Sequence, residues 1–261
     1  MDLDLKSKVA IVTGASKGMG FSVCERLLEE GAKVMMVSRN EKVLIDLIKK
    51  FRHQKYDVDY FTGDVSSTDL HEKVIEKTLD KWGAIHILIN NAGGPPMGSF
   101  LEQNNSNWET TFQTNLMSVI RFSKAVAPHM KKNKWGRIVS ITSSLAKEPS
   151  PEMVLSSTIR AGVSSFSKAI STELAPYNIT VNVICPGGVL TERLKSLIED
   201  RSIRENRSYN QVLKESQSMI PINRFASSNE IADIILFISS NKGAYMTGVS
   251  LAIDGGLLKS F

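Results

Sequence analysis

The stretch VTGASKGMG, residues 12–20, places three glycines, Gly14, Gly18 and Gly20, between an apolar run and an amphipathic one. Glycines at such a junction suit phosphate binding. They permit a tight turn and let the backbone approach a pyrophosphate, whose charge the positive N-terminus of the following helix favours. The spacing here is Gly-x-x-x-Gly-x-Gly rather than Gly-x-Gly-x-x-Gly, and taken alone such a turn can also be simple chain punctuation. A second stretch with chemistry in it is VLSSTIRAGVSSFSKA, residues 154–169, where Ser156 and Arg160 stand four apart. On a helix this spacing puts a hydroxyl and a guanidinium on one face. The guanidinium can hydrogen-bond sugar hydroxyls but cannot relay a proton, because its pKa stays above about 12. The four histidines, His53, His71, His86 and His129, lie on separate segments and form no metal constellation.

The elements that must position these groups follow from apolar periodicity. Short runs rich in β-branched residues occur at 9–14, 33–38, 57–62, 85–93, 137–143, 179–187 and 249–256. Helical patterns fill 18–30, 41–53, 69–81, 107–133, 155–175 and 228–239. This alternation predicts an α/β protein, a three-layer doubly wound parallel seven-stranded sheet, with ligands outside the carboxyl ends of the strands. Residues 189–223 are irregular and carry charge of both signs. They read as a helical insertion near the sheet's C-terminal edge, either a solvated helix pair or a lid over a substrate.

Composition narrows the class. The 261 residues suit one large domain, and 42% hydrophobic with 23% charged residues leaves ample core material. The net charge of +5 comes from interspersed residues, without a basic run, so nucleic acid is not the expected partner. The two cysteines, Cys24 and Cys185, have no framework spacing and read as reduced thiols. The N-terminus MDLDLKSKVAIVTG has aspartates where a signal peptide needs positive charge, and no apolar stretch is long enough to cross a membrane. The expectation is a soluble, cytoplasmic protein with no membrane association.

Three motifs in order, the glycine turn, NNAG at 90–93 and CPGGVLT at 185–191, resemble the short-chain dehydrogenase/reductase family from Lys8 to the DGG at 254–256. The resemblance implies a Rossmann fold and a dinucleotide. Carried over by position, Gly14, Ser16, Lys17, Gly18, Met19 and Gly20 would hold the pyrophosphate and adenosine ribose, with Asp64 and Val65 flanking the adenine. Asn91, Ala92 and Gly93 would line the adenosine side, and Pro186, Gly187, Val189 and Thr191 would meet the nicotinamide end. After the second strand, Ser38 stands where NAD-preferring relatives carry an acid, followed by Arg39 and Asn40. A carboxylate there would repel a ribose phosphate, whereas Arg39 and Lys17 offer two cations to bind one, so NADP(H) is expected over NAD(H).

The family's catalytic group is a serine ending the fifth strand, a tyrosine thirteen residues on, a lysine four after that, and an asparagine on the preceding helix. Ser143 and Asn115 match the serine and the asparagine, but the tyrosine position holds Ser156 and the lysine position Arg160, whose guanidinium is expected to hydrogen-bond the nicotinamide ribose and keep cofactor binding. The frame is secured by AGVSSFSKAISTELAPYNITVNVICPGG, which resumes the family pattern after Arg160. Rerouted proton transfer is then expected. The candidates are water held by Ser143, Ser156 and Ser157, the loop residues Lys147, Glu148 and Glu152, or Tyr209 from the lid. The subgroup resemblance is to 3-oxoacyl-[acyl-carrier-protein] reductase-like members lacking a perfect tetrad.

The function expected from all this is an NADP(H)-dependent oxidoreductase acting on a small-molecule or acyl-thioester substrate: a ketone such as a 3-oxoacyl thioester, or the reverse alcohol oxidation. The alternative is a nucleotide-binding pseudoenzyme, an NADPH sensor or assembly subunit. By analogy with the family, a homo-tetramer or dimer is expected.

Overall fold

Alternation along the strands decides the layers. In β1 (Val9–Thr13), Ala10 and Val12 point to one face and Ile11 to the other; in β2 (Lys33–Ser38), Val34 and Met36 oppose Met35 and Val37. Both sets are fully buried, as a parallel sheet covered on two faces requires. A computed structural model describes residues 1–260. Its sheet is completed by β3 (Val58–Thr62), β4 (Ile87–Asn90), β5 (Gly136–Ile141), β6 (Ile179–Pro186) and β7 (Ser250–Ile253), all parallel, in the order β3-β2-β1-β4-β5-β6-β7. The expected seven-stranded doubly wound fold is the one observed.

One face is covered by α1 (Gly18–Glu29), α2 (Glu41–His53) and α9 (Ser228–Ser239), with Leu27, Phe51 and Ile235 in the first core. The other is covered by α3 (Leu70–Trp82), α5 (Ser118–Asn133) and α6 (Val154–Leu174), with Val74, Phe122 and Leu174 in the second. Each such large apolar side chain contributes about 1.5–3 kcal/mol when fully buried. Strand order reverses between β1 and β4, so the chain leaves these two neighbours in opposite directions and opens a crevice at their carboxyl ends.

Two departures from simple periodicity matter for the site. The helix expected over 107–133 is α4 (Asn105–Phe112), a π-helical turn over Gln113–Met117, and then α5. The wider turn carries Asn115, whose Nδ2 donates to the Gly93 carbonyl at 2.9 Å, a contact from outside the helix that local pattern does not encode. The region 189–223 folds into α7 (Glu192–Arg204) and α8 (Tyr209–Ser218) around a small core of its own, Ile198, Val212, Ile220 and Phe225. Its mixed charges pair internally: Arg201 meets Glu205 at 2.6 Å and Glu215 at 3.1 Å, and Arg207 meets Glu215 at 2.6 Å. Among the described residues, no helix is long and apolar enough to cross a membrane.

Candidate active site

The glycine turn sits at the crevice. Gly14 and Gly18 have φ of +59° and +56°, values that side-chain-bearing residues rarely adopt. A Cβ on Gly14 would come within 2.6 Å of Asn91 Nδ2 and 2.7 Å of the Asn91 carbonyl oxygen, and one on Gly20 would overlap the Gly14 carbonyl. Asn91 holds the turn in place. Its Nδ2 donates to the carbonyls of Thr13 at 3.3 Å and Gly14 at 3.1 Å, and its N–H donates to Thr13 Oγ1 at 2.9 Å. Lys17 caps α1 without a side-chain hydrogen bond, so the first N–H groups of that helix keep their positive end for an anion. The cradle that a Cβ would fill and the donors at its rim fit a dinucleotide pyrophosphate.

At the second strand's end, Ser38 Oγ donates to Ser16 Oγ at 2.8 Å, tying β2 to the turn. Arg39 projects outward, its side chain 79% exposed, and meets Asp64 at 3.4 Å. Lys17 is also exposed. Burial would raise the Asp64 carboxyl, but the Ser66 N–H and hydroxyl, helped by Arg39, outweigh it and hold the group below the usual carboxylate range. Asn40 accepts from Val43 N–H and caps α2. Val65 packs at the edge of the second core. Ala92 and Gly93 continue from β4 beside the turn, and Gly93 presents its carbonyl to Asn115.

Beyond the turn lies a cavity of about 150 Å³ at the carboxyl ends of β5 and β6. Ser143, Ser156 and Arg160 line it, as do Met19, Pro186, Gly187, Val189 and Thr191. Ser143 caps a short turn, its Oγ accepting from Leu145 N–H at 3.3 Å. Ser156 is buried on the first turn of α6, and Arg160 rises one turn later on the same face. Arg160 Nη1 donates to the Thr142 carbonyl, and its Nε is buried without a partner among the described residues. Burial pushes the Arg160 guanidinium down to about 10, with Cys185 opposing and the nearby Arg193 adding a lesser push downward; this is below the range expected of it from sequence, yet the group stays charged at neutral pH. A second space of about 10 Å³, bordered by Asn90, Asn115, Ser118 and Arg160 together with Val119, Ile141 and Val163, lies behind it and has the volume of about one water.

The loop residues are placed differently from expectation. Lys147 is exposed and does not line the cavity. Glu148 Oε1 accepts the N–H groups of Lys259 at 2.7 Å and Ser260 at 2.6 Å, clamping the C-terminal tail. Glu152 is exposed and 3.9 Å from Arg204. Tyr209 packs against the small core of α7 and α8. Lys147, Glu148 and Glu152 lie on a connection whose course depends on contacts made outside its own segment, and Tyr209 opens α8.

Sequence reasoning did not single out Arg193. It lines the cavity and its Nη2 donates to the Pro95 carbonyl at 2.7 Å; the only signal was its place two residues after Thr191. Both cysteines are free and buried. Among the described residues no cluster could hold a metal, and His86, at the opposite end of the sheet, accepts from Val9 N–H at 3.0 Å.

The family model for short chain dehydrogenases matches residues 8–202. The chain belongs to this family. It is 32% identical over 260 residues to the NADPH-dependent reductase BacG of Bacillus subtilis, covering 98% of this chain and 100% of the relative. It is 32% identical over 254 residues to a 3-oxoacyl-[acyl-carrier-protein] reductase of Thermotoga maritima, covering 97% and 99%. The L-sorbose reductase of Gluconobacter frateurii, solved with NADPH and L-sorbose, superposes with a TM-score of 0.95 at 28% identity over 100% of both chains.

Proposed function

We propose that this chain is an NADP(H)-dependent reductase of the short-chain dehydrogenase family, reducing a ketone such as a 3-oxoacyl thioester or running the reverse alcohol oxidation. The observation that carries this reading is a shared border: Met19 and Thr191 line the reacting cavity, while Thr191 Cγ2 stands 3.5 Å from where a Gly18 Cβ would be. A dinucleotide held on the glycine turn therefore reaches the cavity. NADPH-dependent relatives of full length support the same cofactor. The reduced dinucleotide supplies a hydride to the carbonyl carbon.

The chain's own residues do the rest. Gly14, Ser16, Gly18, Met19 and Gly20 hold the pyrophosphate, while Lys17, Ser38, Arg39 and Asn40 surround the phosphorylated ribose. Asp64, Val65, Asn91, Ala92 and Gly93 enclose the adenosine side, and Pro186, Gly187, Val189 and Thr191 enclose the nicotinamide side. Ser143 Oγ donates to the substrate oxygen. Ser156 and Arg160 occupy the tetrad's tyrosine and lysine positions, and Asn115 its asparagine position. An aliphatic hydroxyl is a far weaker acid than a phenol tuned by a cation, so Ser156 Oγ positions a water that relays a proton from solvent to the developing alkoxide, giving the alcohol and regenerating the water. Lys147 has no part in this scheme. Residues 189–223 act as a lid on a single catalytic domain, and the α4–α5 and α6 faces pair copies into a homo-tetramer or dimer.

The test is a fluorescence titration of the wild type and Arg39→Glu with NADPH and NADH. A charge-assisted hydrogen bond contributes about 1.5–3 kcal/mol, so the wild type should prefer NADPH by about tenfold or more, and Arg39→Glu should lose that preference. Failure to bind either nucleotide would leave the turn as fold alone and favour a scaffold.

A further inference from the structure

Two guanidinium groups converge on the reacting cavity, and no carboxylate among the residues lining it answers them. Arg160 comes from α6 and has its Nε buried without a partner among the described residues. Arg193 comes from the first turn of α7, 33 residues later in the chain. A Cβ built on Gly94 would lie 3.4 Å from Arg193 Nε and 3.9 Å from Arg160 Nη2, so the two side chains flank one glycine. The acid nearest in sequence, Glu192, is paired with Lys195 at 2.8 Å. Like charges held this close repel, more strongly as water is excluded. A bound anion would relieve both, and two guanidinium forks side by side match the geometry of a carboxylate.

The anion is not the cofactor's pyrophosphate. The glycine turn meets α7 at Thr191, through Gly18, whereas Arg193 turns toward Gly94 and Pro95. The two contacts are made by different residues at the start of α7, with different segments of the chain. The cavity wall next to the arginines is apolar, with Leu145, Met153, Leu194 and Leu197.

We propose that the substrate is a 2-oxo or 3-oxo carboxylic acid, whose carboxylate is bound between Arg160 and Arg193 and whose organic remainder packs on that apolar wall. This rests on the reading of the cavity as a site of carbonyl reduction, and it narrows that reading from a thioester to a free acid. Reduction converts the keto acid, NADPH and a proton to the hydroxy acid and NADP⁺, and the carboxylate keeps its charge throughout. Arg193 thus acts as a specificity-determining residue and Arg160 as the floor of the same subsite.

Two readouts test this. Calorimetry of the NADPH-saturated protein with oxamate, malonate and uncharged malonamide reads anion binding without turnover. Steady-state rates with acetoacetate and methyl acetoacetate read the preference for the acid. The anions should bind and malonamide should not. Arg193→Met, on an exposed first turn, should weaken oxamate and lower the acid-to-ester ratio of kcat/KM by about tenfold or more, while the NADPH dissociation constant moves by less than about threefold. Equal binding of malonamide and malonate, or equal handling of acid and ester, overturns the proposal and leaves a reductase of neutral ketones. Loss of NADPH affinity in Arg193→Met also overturns it, since Arg193 would then be a cofactor clamp. If the wild type binds no nucleotide, the reductase reading fails on its own account, and oxamate titrated into the protein alone still decides the anion site.

Discussion

Gly14 and Gly83 make a matched pair for testing whether the glycine turn is a cofactor cradle or ordinary punctuation. Both have positive φ, +59° and +71°, so alanine costs about 1 kcal/mol of backbone strain at either. Gly83 ends α3, and nothing lies within 4 Å of the place its Cβ would take. Gly14 is different: its Cβ would press on Asn91 at 2.6 and 2.7 Å, well inside the roughly 3.5 Å of ordinary contact. Asn91 cannot retreat without stretching its hydrogen bonds to Thr13 and Gly14. Overpacking of about 1–3 kcal/mol and a weakened hydrogen bond of about 1 kcal/mol then add to the strain. Gly14→Ala should therefore cost about 3–5 kcal/mol and Gly83→Ala about 1 kcal/mol. At about 2–4 °C per kcal/mol for a chain of this size, Tm should fall by about 10 °C in the first and about 3 °C in the second. Thermal unfolding followed by tryptophan fluorescence at one protein concentration measures both, and NADPH titration should show weakening by more than about tenfold only in Gly14→Ala. Equal losses of Tm in the two variants, or wild-type NADPH affinity in Gly14→Ala, would refute the close-approach argument.

Two further outcomes are expected. Ser156→Tyr combined with Arg160→Lys supplies a tunable acid beside the cavity and should raise kcat/KM for a ketone by about a hundredfold, followed by loss of NADPH absorbance; an unchanged rate with NADPH affinity retained counts against the assignment of those two positions. Glu230 is pulled down to about 2 by Arg224, with the Ser227 N–H also contributing. A depressed carboxyl stabilises the fold above its ordinary value of 4.5 and ceases to do so as pH falls through about 2. Glu230→Gln should lower Tm at neutral pH, with the gap from wild type closing across that acid window; a gap independent of pH would contradict the ion-pair account.

The central strands were legible because they are short, largely apolar runs in which every residue is buried, as in Val9–Thr13 and Ile87–Asn90, whereas β3 and β7 at the sheet edges are only partly buried. The glycine turn was legible for a related reason. Its three glycines, the strand before it and the helix after it lie within one short stretch, so local spacing carries the information. The roles of Ser143, Ser156 and Arg160 could be suspected only through family resemblance, since hydroxyls and arginines are common on helices. Lys147 and Glu148 show the limit of that approach: adjacent on one loop, the first is solvated and the second is taken by the N–H groups of Lys259 and Ser260 from the far end of the chain.

The sequence by itself determined the class of fold, the tight glycine turn and the cations beside it, because each depends on periodicity or charge within a few residues. Tertiary structure alone decided the π turn that delivers Asn115 to Gly93, the tie between Ser38 and Ser16, and the meeting of Arg160 with Arg193 over Gly94. Those contacts join residues 22 and 33 positions apart, and their partners arrive on different strands and helices. Charge repulsion between two arginines is invisible in a linear reading and unavoidable once the sheet brings α6 and α7 to the same cavity.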